Sequence, residues 1–388
     1  MSLGAARVQY LMDDVIVYLR KLSMDMEDLV SLALGDPDFS TPLHIRDAAK
    51  KAVDEGFTHY THSAGLPELR EAISEKLSRE NGIEASPDEI IVTAGGEEAM
   101  HVTVQALIDI KDEVLIPDPC YHFDKIVRLA GGSPVSVPLK EENKFEINPE
   151  DIESRITPRT KMLVLISPNN PTGSMISKNT LDEIGKIVKK HDLLMISDEC
   201  YEKIVFDGRK HYSIGSLPNM KEQVITINSF SKTYAMTGWR IGYLAADKSI
   251  ANVIQKAHYY SLICVNAMAQ KAALAALTGP QNPVKSMVEE YSRRRNLMIN
   301  GLNSIGGIKC IKTAGSFWAF PNVKAFGMSS LNFSKYLLTN AKVAVFPGSA
   351  FGMAGEGYLR FSFSYPQETI KEALGRIRDA LEKLPLKT

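Results

Sequence analysis

Beyond Glu89 the apolar positions of this chain fall into short unbroken runs. Ile90-Ile91-Val92, Val114-Leu115-Ile116, Met162 to Ile166, Leu193 to Ile196 and Val224 to Ile227 each end at a polar cluster. A run that is apolar at every position reads as a strand covered on both faces. Helical segments separate the runs. Leu66, Leu69, Ile73 and Leu77 recur at helical spacing before an Asn81-Gly82 stop. Further helices are predicted from about Glu97 to Ile108, after Tyr121, from Ser177, over a long stretch from Lys248 to about Thr278, and from about Pro283 to Ile305. Strands alternating with helices predict an α/β fold, a mostly parallel sheet sandwiched by helices. Toward the C-terminus the pattern is mixed, with short strands near Ser316–Phe320 and Tyr358–Ser364 and a last helix marked by Ile370, Leu374, Ile377 and Leu381. This reads as a smaller α+β domain, completed by an N-terminal arm or short helix over Val8–Leu22.

Length and composition narrow the function classes. With 388 residues the chain fits roughly two domains. A net charge of −1 gives no electrostatic footprint for nucleic acid or an anionic membrane. No stretch approaches the ~20 apolar residues of a membrane span. Cys120, Cys200, Cys264 and Cys310 lie far apart with no C-x-x-C pair, which fits a reducing cytoplasm. His59 and His62 have no third ligand nearby, so no metal is expected. The partner expected is a small molecule.

In a parallel sheet, ligands sit beyond the carboxyl ends of the strands, where the polar clusters fall. One cluster holds Lys232, after Ser229-Phe230-Ser231 and eight residues before Arg240. A lysine at the end of a buried strand loses its proton readily, as a Schiff base requires. Gly95-Gly96 opening a helix suits a phosphate cradle, or simply lets the strand turn. Asp198 closes an apolar strand and needs a cation there, unless it caps a helix. Tyr201 and Asn170 can reach a ring oxygen beside it, though Asn170 also sits in an ordinary Asn-Pro-Thr-Gly turn. Tyr121 can stack on a ring or belong to a core. Ser229 and Arg240 suit a phosphate dianion. Arg360, on the apolar phase of a strand, needs an anion: a substrate carboxylate or a structural acid. Gly35 is turn punctuation or bare backbone against a ligand.

Taken together these residues resemble the class I/II aminotransferases of fold type I, which depend on pyridoxal 5′-phosphate (PLP). The run S-F-S-K-T-Y-A-M-T-G-W-R-I-G, from Ser229 to Gly242, is similar to that family's lysine signature at every defined position. The likeness extends in order through G-D-P-D-F, Y-T-H-S-A-G-L-P-E-L-R, T-A-G-G, S-P-N-N-P-T-G, S-D-E-C-Y, P-G-S-A-F-G and Y-L-R-F-S. The resemblance implies Lys232 as Schiff-base lysine and proton shuttle, with Asp198 at the pyridine nitrogen and Tyr201 and Asn170 at the ring oxygen. Tyr121 would stack on the ring. Ser229, Arg240 and the backbone at Gly96 and Glu97 would hold the phosphate, with Gly95 and Ser231 also against the cofactor. Arg360, Gly35 and Asn170, with Tyr121, would meet the amino-acid substrate. Tyr60 would reach the neighbouring subunit's cofactor, which implies a homodimer with shared sites. The large domain would span 41–285 and the small domain 286–388, joined by an N-terminal arm over 1–40.

The activity so implied is ping-pong transfer of an α-amino group from an L-amino acid to a 2-oxo acid, with 2-oxoglutarate as acceptor. A PLP-dependent β-lyase is the alternative on the same fold. One position departs from the family's pattern. An aspartate-using branch has a lysine after the glycine pair for the distal carboxylate; here Glu97 stands there and should repel it. Ser229-Phe230-Ser231-Lys232 is formally the S-x-x-K of serine acyl-transfer enzymes, but its companion motifs are only near misses, Ser197-Asp198-Glu199 and Lys312-Thr313-Ala314-Gly315.

Overall fold

The structure, a computed structural model, describes residues 4–9, 11, 15–23, 26–382 and 384–386. Seven strands form the main sheet: β1 Ile90–Thr93, β2 Glu113–Asp118, β3 Ser133–Pro138, β4 Thr160–Ile166, β5 Leu194–Asp198, β6 Val224–Ser229 and β7 Gly242–Ala245. Their order is β1-β7-β6-β5-β4-β2-β3, and only β7, between β1 and β6, runs antiparallel to its neighbours. The mostly parallel α/β sheet is as the apolar runs predict. Its interior strands are apolar throughout because both faces are covered. Ile91, Val114, Met162, Ile196 and Ile225 pack on one face with helices α1 Gly96–Leu107 and α2 Lys248–Leu262. Leu115, Leu163 and Met195 point the other way, against Leu181, Ile184 and Val188 of the helix Lys178–Lys190.

Two strands of the main sheet have no counterpart in the sequence reading. β3 is the sheet edge, with only Val137 fully buried, so Ser133-Pro134-Val135-Ser136-Val137-Pro138 shows no apolar run. β7 is four residues long and starts at a glycine. The long helical stretch is also two helices. α2 ends at Ile263, whose φ of 65° breaks it, and α3 Ala267–Thr278 begins where the Asn266 side chain accepts from Ala269 N. A β-branched residue at positive φ is a backbone outlier, which is why no glycine or proline marks the break.

Beyond α3, helix α4 Asn282–Asn303 packs against the last helix, α5 Gln367–Leu381. A three-stranded antiparallel sheet places Leu359–Ser362 between Phe346–Pro347 and Trp318–Ala319. These strands are shorter than the mixed pattern suggests. The N-terminal segment reaches them: Val30–Ser31 pairs in parallel with Val343–Ala344, and Leu32 O accepts from Ser362 N at 2.8 Å. Of the arm read over Val8–Leu22, helices Ala6–Gln9 and Val15–Ser23 are described, while positions 10 and 12–14 lie outside the described residues. Among the described residues no helix is long and apolar enough to cross a membrane.

Candidate active site

The carboxyl ends of β4, β5 and β6 open into a cavity of about 310 Å³, closed on the far side by Trp318 and Arg360. Asp198 ends β5 and Ser229 ends β6, so register alone sets them side by side: Asp198 pairs with Ile227, two residues before Ser229. One turn of helix, Phe230–Thr233, then carries Ser231 and Lys232 to the pocket wall. Ser229 Oγ caps that turn by accepting from Ser231 N at 3.2 Å. Lys232 is half-buried, its Nζ donating to the Gly35 carbonyl at 2.6 Å and lying 5.8 Å from the centre of the Phe317 ring. Burial lowers its pKa to about 8, with Arg240 and Arg360 acting in the same direction and Asp36 opposing.

Asp198 is buried and Oδ1 accepts from Cys200 N at 3.1 Å, a local turn rather than a helix cap. No cation pairs with it among the described residues. Burial raises its pKa, and the neighbouring Glu199 adds to the effect. Tyr201, three residues on, is buried, its OH accepting from Trp318 Nε1 at 3.0 Å; burial pushes the phenol well above its usual range.

Arg240 and Arg360 bracket the pocket, and neither has a carboxylate partner among the described residues. Arg240 donates only to the carbonyls of Thr237, at 2.8 Å, and Ala94, at 3.4 Å. Its guanidinium lies against Gly95, which has φ 87° and where an added Cβ would sit 2.7 Å from Nη2. At Gly96 an added Cβ would meet Cys200 Sγ at 2.9 Å, so both glycines are there for close approach as well as for the turn. Gly96 and Glu97 open α1, whose first amides have no partner within the helix and aim at the same space.

Arg360 is only 3% exposed. Nη1 donates to Asn170 Oδ1 at 2.9 Å and Nη2 to Ala33 O at 2.8 Å, leaving Nε with no partner. The guanidinium lies 3.7 Å from the centre of the Trp318 ring and 4.4 Å from that of Phe351. Burial pulls its pKa down to about 9, the cost of a charge held among aromatic rings without an anion.

Of the residues singled out from the sequence, Gly35, Gly96, Glu97, Tyr121, Asn170, Asp198, Tyr201, Ser229, Ser231, Lys232, Arg240 and Arg360 all line this one cavity. Gly95 stands behind it as the residue before α1. Tyr60 does not reach it, and its side chain is 82% exposed. Glu97 is open to solvent yet hemmed in by protein; that crowding, with Asp198 nearby, raises its carboxyl pKa. His62 takes a structural part, Nδ1 accepting from Ala64 N at 3.1 Å. Leu34, Met100, His122, Cys200, Trp318 and Phe346 also line the pocket without having been singled out. Trp318 sits in an apolar strand, Phe317-Trp318-Ala319-Phe320, that reads as core.

Residues 27–377 match the family described as aminotransferase class I and II. The chain belongs to this family. It is 46% identical to the aspartate aminotransferase of Pyrococcus abyssi over 95% of this chain and 96% of that protein. It is 43% identical to aromatic-amino-acid aminotransferase 2 of Thermococcus litoralis, over 94% of this chain and 95% of that protein. The crystal structure of a Pyrococcus protein designated A1 superposes with a TM-score of 0.95 at 43% identity, covering 97% and 98% of the two chains. The protein is therefore an aminotransferase, and class I/II aminotransferases of this type depend on PLP. The pocket suits that cofactor. A buried carboxylate without a cation at Asp198 matches a protonated pyridine nitrogen. An arginine without an acid beside a helix N-terminus and two serines matches a phosphate dianion.

Proposed function

We propose that the chain moves the α-amino group of an L-amino acid to 2-oxoglutarate in two half-reactions at this single pocket. One observation carries the reading: a half-buried lysine whose pKa burial lowers to about 8 shares a cavity with a buried arginine that has no acid partner among the described residues. Bound PLP supplies the aldehyde that accepts the amino group and a ring that draws electrons from the substrate Cα. Asp198 holds a proton on the ring nitrogen, while Tyr201 and Asn170 meet the ring oxygen. Tyr121 covers one ring face. Ser229, Arg240 and the amides of Gly96 and Glu97 hold the phosphate, with Gly95 and Ser231 also against the cofactor.

Arg360 binds the substrate carboxylate, with Asn170 fixing its fork and Gly35 and Tyr121 completing the cleft. Lys232 would take the proton from the substrate Cα as general base and deliver it, as general acid, to the carbon that carried the cofactor's aldehyde. The Gly35 carbonyl keeps Nζ over the cleft between those two steps. Tyr60 serves the pocket of a second copy of the chain, so the working unit is a homodimer, and we place it in the cytoplasm. Supporting the dimer, Tyr60, Tyr259, Tyr260, Leu262 and Ile263 are all large apolar side chains left exposed, the last four at and just beyond the end of α2. That helix holds the Tyr60 loop through His258 Nε2 to Ser63 O at 2.8 Å.

Lys232→Ala tests the assignment. Amino transfer should fall by at least ~10³, in line with the loss of a covalent and acid–base group together. Binding of a simple carboxylate at Arg360, followed by calorimetry, should persist. A variant that still turns over at a tenth of the native rate would refute the role of Lys232.

A further inference from the structure

Beside the main pocket lies a smaller cavity of about 110 Å³, and Leu34 and Phe346 form part of the wall of both. The rest of its lining is Leu19 from the helix Val15–Ser23, Ala33, Leu338, Ala344 and Val345, with two serines. Among the described residues no charged side chain borders it. Ser334 Oγ donates to Val345 O at 2.7 Å, and Ser31 Oγ accepts from Ala33 N at 3.5 Å and is hydrogen-bonded to the Tyr365 side chain, so neither hydroxyl waits for a ligand. Such a space offers water almost nothing to bond, and apolar cavities on the order of 150 Å³ stay dry and take up benzene.

Its position matters as much as its lining. Leu34 lies between the two carbonyls that fix the reacting groups: Ala33 O accepts from Arg360, and Gly35 O accepts from Lys232. A donor with its carboxylate on Arg360 and its Cα facing Lys232 therefore runs alongside Leu34. That leucine is 39% exposed, so the partition between pocket and annex is in part a side chain not packed on every side.

We propose that this annex receives the side chain of the amino donor, and that the donor is a large apolar amino acid. The inference rests on the transferase reading of the main pocket and adds the substrate class. An aromatic or long aliphatic side chain displaces Leu34 and buries its surface against Leu19, Leu338 and Val345. A carboxylate placed there would be desolvated with no donor to meet it. An alanine side chain would leave the annex empty and gain nothing from it.

The test uses the PLP-loaded enzyme. Binding of 3-phenylpropanoate and of propanoate, which share a carboxylate but lack an amine, is measured by calorimetry, and kcat/KM is measured for phenylalanine, alanine and aspartate. The phenyl compound should bind at least ~10-fold tighter, and phenylalanine should exceed alanine by a similar factor. Ala344→Phe, which fills the annex, should cut both ratios to about threefold or less. Leu19→Asp, which puts a charge into it from the N-terminal helix, should do the same and serves if Ala344→Phe does not fold. Equal binding of the two carboxylates, or ratios unchanged in a folded variant, would overturn the assignment. Transfer from aspartate exceeding that from phenylalanine would overturn the annex alone. Transfer from no donor at all would sink the transferase reading, while the binding ratio would still decide the annex.

Discussion

The behaviour of Lys232 follows from what surrounds one amine. Burial, reinforced by Arg240 and Arg360, moves its pKa from the usual 10.5 to about 8. At pH 8 about half of the folded chains then carry a free amine, against about 1 in 300 for an unshifted lysine. An amine-directed acylating reagent, with Lys232 followed by mass spectrometry in the cofactor-free enzyme, should show a rate that rises to a plateau just above pH 8. A profile still climbing at pH 10 would mean that the lysine is solvated. The stability sign follows from the same shift. The unfolded chain binds more protons between pH 8 and 10.5, so this group's cost to folding is fully present below 8 and is relieved as pH rises through that window. A buried strand followed by S-F-S-K already points to such a lysine. The second cation was harder to read, because Arg360 could as well have served a structural acid. Only the folded chain shows that its neighbours are Trp318, Phe351, a carbonyl and an amide.

At the scale of elements, the Asp198–Tyr201 turn is held from behind by a polar network that no motif announces. The helix Pro67–Lys76 ends in a π-turn, Leu77–Asn81, which swings Asn81 toward β5. Asn81 Nδ2 donates to Glu202 at 2.6 Å, to Ser213 Oγ at 2.8 Å and to Glu199 at 3.2 Å, while Lys76 forms a buried ion pair with Glu202. His211 Nε2 lies 2.9 Å from Glu199. Burial works to raise the pKa of Glu202, but Lys76, Lys203 and His211 outweigh it and hold it at about 2. The stability this supplies is complete above about pH 4.5 and is lost as pH falls toward 2. Lys76→Met strands a buried carboxylate and should cost about 3–5 kcal/mol at pH 7. Because protonation of Glu202 relieves the variant, the gap in urea midpoint should narrow clearly at pH 4. A gap independent of pH would show that Lys76 acts through packing alone. Lys76 stands three residues after Ile73, but a lysine at the end of a helix reads as a solvated charge, so its burial does not show in sequence. Of the partners that make it so, Glu202 comes from far along the chain and Asn81 is brought round by the π-turn that follows the helix. Likewise the apolar runs expose the inner strands but not the edge strand β3, and helical period carries through Ile263 because the break there is a strained backbone rather than a breaker residue.

For the whole molecule, the question is what completes the pocket. Motif order along the chain maps onto one cavity because strand ends from across the sheet converge there, and that convergence is a property of parallel topology. Tyr60 is the exception: it precedes the helix Pro67–Lys76 on a loop with its side chain exposed, and that loop is tied to α2 through His258 and Ser63. Within one chain it has no route to its expected ligand. A two-fold partner would cover this surface and bring each Tyr60 to the other's phosphate site, since an isologous interface exchanges residues reciprocally. Complementation separates shared sites from self-contained ones. Tyr60→Ala and Lys232→Ala homodimers should each be impaired, the first through weak cofactor retention. Unfolding and refolding them together at equal concentration makes about half of the dimers mixed, and in each of these one site has both native groups. Activity should return to about a quarter of the wild-type value, with ultracentrifugation showing dimers throughout. No recovery above the sum of the two parents would mean that each chain completes its own pocket, and Tyr60 would then be only a surface residue.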